Sequence, residues 1–147
     1  MDAAWLDSLI TGFEDGTWPG AKFHHLEHLA IAVHYLTTEP DPMTVLRSKI
    51  KSYNVSQGGE NTEVRGYHET ITRFWLEVVR GYVTTQPLGL SKLEITKRVT
   101  EEFAAKRDIF RGYYDFDVLA SKEARTAWIQ PNQAPPGTTS IFPTPSV

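Results

Sequence analysis

Apolar residues recur at helical spacing along most of this chain. Trp5, Leu9 and Phe13 repeat every four positions, with Leu6 and Ile10 in the adjoining row, which predicts a helix over residues 2–14. Gly16, Pro19 and Gly20 break it. A second helix is expected from Ala21 to Thr38, stopped by Pro40 and Pro42. Asp41-Pro42 pairs a cap with a first-turn proline and opens a third helix. That helix carries Val45, Leu46, Ile50 and Tyr53 and ends near Gln57, before Gly58-Gly59. After a polar loop over residues 60–66, Ile71, Phe74, Trp75, Val78, Val79 and Tyr82 mark a fourth helix from Tyr67 to Val83. Ser91-Lys92-Leu93-Glu94 is a capping box and opens a fifth, reaching Lys106. Residues 108–129 suit short helices, one of them opened by Ser121. Pro131, Pro135, Pro136, Pro143 and Pro145 then predict an extended, partly mobile tail. The pattern holds no convincing strand pair. The expected fold class is all-α: a compact bundle of about five main helices in one domain over residues 1–130, with a Pro-rich tail over 131–147.

Composition narrows this picture. With 147 residues and 40% hydrophobic content, the chain can build one real core. It has no cysteine, so any metal must be held by imidazole, carboxylate or water. The absence also fits a reducing compartment. The formal net charge is −3, and the basic stretch Lys92 to Arg107 is interleaved with Glu94, Glu101 and Glu102. It reads as a solvated helix face, so no nucleic-acid partner is expected. No apolar run approaches the roughly 20 residues of a membrane span, and the first residues lack the pattern of a signal peptide. A cytoplasmic protein without a membrane partner is the expectation. The high aromatic content makes a homodimer plausible without locating its interface.

Three of the five histidines fall in Phe23-His24-His25-Leu26-Glu27-His28. At about 100° per residue, Leu29, Ala32 and Leu36 lie within roughly 40° of His25, and His28 about 60° to the other side. His25 and His28 therefore share the apolar face of their helix. On the fourth helix, Thr72, Trp75, Val79 and Tyr82 lie within about 40° of His68. Two helices thus place histidine on surfaces that should be buried, and each unpartnered polar group there costs on the order of 1–3 kcal/mol. A shared partner is the economical solution: a divalent metal held by His25, His28 and His68, or a hydrogen-bonded network of core histidines. Helix bundles build metal sites in the first way, and three protein ligands leave a position open for water or substrate. His24 with His28 is a rival ligand pair. His34 reads as a solvated or packing residue.

Glu69 follows His68 at a helix start. It either favours the positive helix end or serves as a fourth ligand or general base on metal-bound water. Glu27 is either exposed or orients a histidine. Asn54 marks a frayed helix end or a polar contact. Trp75, Tyr82 and Arg111 are candidate substrate contacts, with core packing as the alternative for the two aromatics and a carboxylate partner for the arginine. Trp128 is expected to anchor the C-terminal segment.

The stretches Phe23-x-His25-x-Glu27-His28-Leu29, Tyr53-Asn54 and Tyr67-His68-Glu69-Thr70-Ile71-Thr72 together resemble a family of small, uncharacterised bacterial and fungal proteins. Ile109-Phe110-Arg111-x-Tyr113-Tyr114 and Leu119-Ala120-Ser121-x-Glu123-Ala124-Arg125-x-x-Trp128-x-x-Pro131 extend the resemblance over roughly residues 20–131. It implies a shared site with the pair His25 and His28 and an acidic Glu27, and supplies no reaction. His34 stands where the family would have an aromatic residue.

The functional expectation is a small metal-dependent enzyme acting on a small molecule, with zinc, iron or copper as the ion. The alternatives are a metal-free acid–base enzyme using His68 and Glu69, and a non-catalytic helical interaction module with a histidine network in its core.

Overall fold

A computed structural model describes residues 1–135 and shows an all-α fold, with no strand among those residues. Six helices follow in order: α1 (Ala3–Asp15), α2 (His25–Thr38), α3 (Pro42–Ser56), α4 (Glu69–Thr84), α5 (Lys92–Phe103) and the short α6 (Lys122–Thr126). Two 3-10 turns, Gly20–Lys22 and Ile109–Tyr113, sit between them. Most of the expected tail lies outside the described residues.

The caps explain most boundaries. Asp2, Asp41, Ser91 and Ser121 each accept a backbone N–H from the first turn of the helix that follows. Two starts differ from the sequence expectation. The second helix begins at His25 rather than Ala21, because Gly20–Lys22 form a 3-10 turn capped by Pro19 and His24 is extended. The Glu27 carboxylate reaches back to accept the His24 N–H at 3.1 Å. The fourth begins at Glu69 rather than Tyr67, because His68 is itself the extended N-cap.

Helix α2 is the centre of the molecule. Leu29, Ala30, Ile31, Ala32 and Val33 are all buried, five in succession, which only a helix enclosed on every side can achieve. It packs against α1, α3, α4 and α5. Leu6, Leu9 and Phe13 of α1, Phe74, Val78 and Val79 of α4 and Val99 of α5 complete the core.

Two loops position the site. Asn61 staples the loop before α4: its amide donates to Lys51 O at 2.9 Å, and its carbonyl accepts from Asn54 Nδ2 and the Tyr67 N–H. Asn54 is thus a polar contact as well as a helix-end residue. Buried Thr70 fastens the C-terminal segment by donating to Ala127 O at 2.7 Å and accepting from Ile129 N at 3.1 Å. Trp128 lies under the Arg73 guanidinium, 4.7 Å from its ring centroid, and so anchors that segment as expected. Residues Asn132 and Gln133 bond back to Tyr113 O, so the start of the Pro-rich segment is pinned to the second 3-10 turn.

Gly66 is the tightest point of this scaffold. Its φ is +78°, and an added Cβ would lie 2.0 Å from Glu60 O. Gly58 also has positive φ, +83°, but open space around it. Gly66→Ala is therefore expected to cost at least about 2 kcal/mol in urea unfolding, and Gly58→Ala only about 1. Equal costs would contradict the packing described for the loop.

Candidate functional site

A cavity of about 990 Å³ opens between α2, α4 and the segment after α5. Its size is at the upper end for small-molecule sites. Leu29, Ala32, Leu46, Ile50, Ile71, Trp75, Leu76 and Phe110 give it apolar walls. His24, His25, His28 and His68 all line it, as do Tyr67, Arg107, Asp108 and Arg111. The structure thus brings His25, His28, His68, Trp75 and Arg111 to one space, while Glu69 and Tyr82 are not part of its lining. A shallower depression of about 400 Å³ beside Trp18 holds none of the candidate residues.

The histidines differ sharply in what they are free to do. His68 Nδ1 accepts the Ile71 N–H at 3.2 Å, so that nitrogen carries no proton. The proton then sits on Nε2, which donates to Val118 O at 2.9 Å. Both ring nitrogens are committed, and His68 is buried. Ligating a metal through this ring would require breaking one of these bonds.

His25 is half-buried at the first position of α2. Its Nε2 lies 3.1 Å from Phe103 O, which fixes that nitrogen as the donor and leaves Nδ1 with a lone pair. The ring meets Trp75 edge-on at 4.4 Å. His28 packs edge-on against Phe23 at 4.2 Å, and neither of its nitrogens has a hydrogen-bond partner among the described residues. His28 is itself an exposed residue. Its exposed area faces the cavity that it helps to line.

The protein around the rings also sets their charge. Burial, reinforced by neighbouring His25 and His24, pushes His28 down to about 4. Burial lowers His25 as well, against the opposing effect of the Phe103 carbonyl. It lowers His68 against the Val118 carbonyl. All three rings are neutral at pH 7.

Glu69 is engaged elsewhere. Arg47 grips its carboxylate with Nε at 2.9 Å and Nη2 at 2.7 Å, and the Tyr67 hydroxyl donates to the same group. Burial alone would raise its pKa, but these partners hold it below the ordinary carboxylate value. The residue is an ionised anchor for the start of α4. Tyr82 packs against Phe103 at 5.3 Å. His34 lies 3.2 Å from Lys92 Nζ, a packing position on the other side of α2. Among the described residues no group of three histidine or carboxylate side chains is close enough to hold an ion.

Sequence reasoning missed Tyr67, Arg107 and Asp108. Arg107-Asp108, like Arg111, lies in a segment whose periodicity is weak, and Tyr67 enters the sequence reading only as a helix start and motif residue.

Fold and site together define a small all-α protein with a histidine-lined cavity. No protein-family model matches the chain, and comparison with curated proteins and with solved structures returned no significant match. No helix among the described residues is long and apolar enough to cross a membrane.

Two outcomes follow. His68→Ala removes a helix cap and orphans the Val118 carbonyl, so it is expected to cost about 2–4 kcal/mol in urea unfolding. His68→Asn keeps a capping side chain and recovers about 1 kcal/mol of that. The second concerns pH. Because the folded protein binds protons to His25, His28, His34 and His68 less readily than the unfolded chain does, stability is complete above about pH 6.5 and lost as pH falls. For His28 the loss continues down to about pH 4. The melting temperature should fall over this range, and His28→Gln should flatten the fall. A flat profile in the unaltered protein would contradict the neutral rings.

Proposed function

We propose that the chain is an enzyme acting on a small, largely apolar molecule held in the cavity, with His25 and His28 as its working groups. The observation that carries this reading is the unequal commitment of the rings. His68 is spent on structure, while His28 has two unbonded nitrogens and His25 one, beside an apolar wall. Phe103 O orients His25 as a base through Nδ1, since its other nitrogen must keep the proton. His28, neutral at pH 7, offers one N–H to polarise a substrate oxygen and one lone pair to accept a proton. Trp75 and Ile71 bind the apolar part.

A metal-dependent form of the same site is the second reading. A ring N–H donated to a backbone carbonyl is what metal-ligating histidines usually show, and His25 has that arrangement. In this form His25 and His28 hold zinc, iron or copper, with water completing the shell.

The test is to incubate the protein with a small-molecule extract and follow consumption by mass spectrometry, alongside His25→Gln and His28→Gln. Loss of turnover by at least about 100-fold in both folded variants is the expected result. Unchanged turnover in either, or no consumption by the unaltered protein, overturns the reading. Loss on chelation with recovery on returning zinc, iron or copper selects the metal-dependent form.

A further inference from the structure

Charge in the cavity is confined to one end. Among the lining residues, the fixed charges are Arg107, Asp108 and Arg111. All three lie in the segment that follows α5 and are exposed. The Asp108 carboxylate stands 3.7 Å from Arg107 Nε and 3.8 Å from Arg111 Nε. Both are ion pairs too long for a hydrogen bond. The Nη groups of both arginines therefore have no acceptor among the described residues. Arg111 lies over the Phe110 ring, 5.3 Å from its centroid, and Phe110 belongs to the cavity wall. Two positive charges facing one negative leave a single positive excess at this rim, on a chain whose net charge is −3. The walls behind it are apolar, and the inner histidines add no fixed charge. Such a gradient draws a ligand in with one orientation.

Building on the enzyme reading above, we propose that the cavity takes a small apolar carboxylic acid. Its carboxylate sits between Arg107 and Arg111, and its apolar body lies against Ile71 and Trp75 near His28. A guanidinium matches a carboxylate in shape and charge. One excess charge matches a monoanion, whereas a phosphate dianion would leave a charge unmatched. An amine would meet the same excess as repulsion. Asp108 is the competitor that the ligand's carboxylate must displace or share.

Calorimetric titration of the full chain tests this with decanoate, cinnamate and indoleacetate, each beside its primary amide and the corresponding amine. At least one acid should bind about tenfold more tightly than its amide and lose that advantage in high salt. Arg111→Gln should weaken the acid about tenfold and leave the amide unchanged. Asp108→Asn should have the opposite sign and tighten the acid several-fold. These two exposed positions carry little of the core, so equal melting temperatures are expected throughout. Equal binding of acid and amide, or tighter binding of the amine, overturns the carboxylate assignment and leaves the cavity reading standing. No binding by any probe overturns both.

Discussion

The imidazole of His68 ties the start of α4 to a distant part of the chain, and the site is arranged around that tie. One nitrogen caps α4 by accepting the Ile71 N–H, and the other donates to Val118 O, fifty residues further on. A cap of serine or aspartate would satisfy α4 alone, because its side chain is too short to bond a second segment. With a ring at this position, the start of the helix and the returning C-terminal segment are fixed to each other. Arg125 repeats the connection by donating to Gly66 O at 2.8 Å, and Thr70 does so with Ala127. The Tyr67–Glu69–Arg47 cluster secures the same helix start to α3.

Held in this way, α4 leaves a space beside α2 that side chains do not fill. Its existence separates the histidines into two kinds. His68 is saturated by the backbone. His28 is exposed on the cavity and bonds to no other side chain or carbonyl through its ring among the described residues. His25 is intermediate, with one nitrogen on Phe103 O and one unbonded. Accessible ring nitrogens beside apolar walls can meet water or a ligand without breaking a bond the fold relies on.

Much of this was legible in the residue pattern. The five long helices follow the apolar spacing, and Asp41-Pro42, Ser91 with Glu94, and Ser121 mark their starts as capping chemistry predicts. The structure puts His25, His28 and His68 on one cavity, as expected, but His28 is exposed rather than buried, and His68 reaches the cavity from an extended cap rather than from a helical face. What the pattern could not give are partners remote in sequence. Arg47 on Glu69 and Val118 on His68 are set by how helices and loops dock, not by spacing. The angular reading of Glu69 also assumed a helical His68, whereas that residue is extended and serves as the cap. Histidine is not among the usual capping residues, so nothing in Tyr67-His68-Glu69 signalled the boundary. Arg107 and Asp108 lie where helical periodicity stops, and there sequence spacing carries no direction.

The ring of His68 is committed to the scaffold through both nitrogens, whereas that of His28 has no bonded ring nitrogen among the described residues. Nitrogen NMR of the histidine rings, recorded across a pH titration and during addition of zinc, tests this contrast most directly. A proton on His68 Nε2 alone, and no response of that ring to zinc, are the expected results. So is a His28 ring that stays neutral until about pH 4. A His68 ring that binds zinc through Nδ1, or a His28 ring that titrates at the ordinary value of about 6.5, would contradict the contrast.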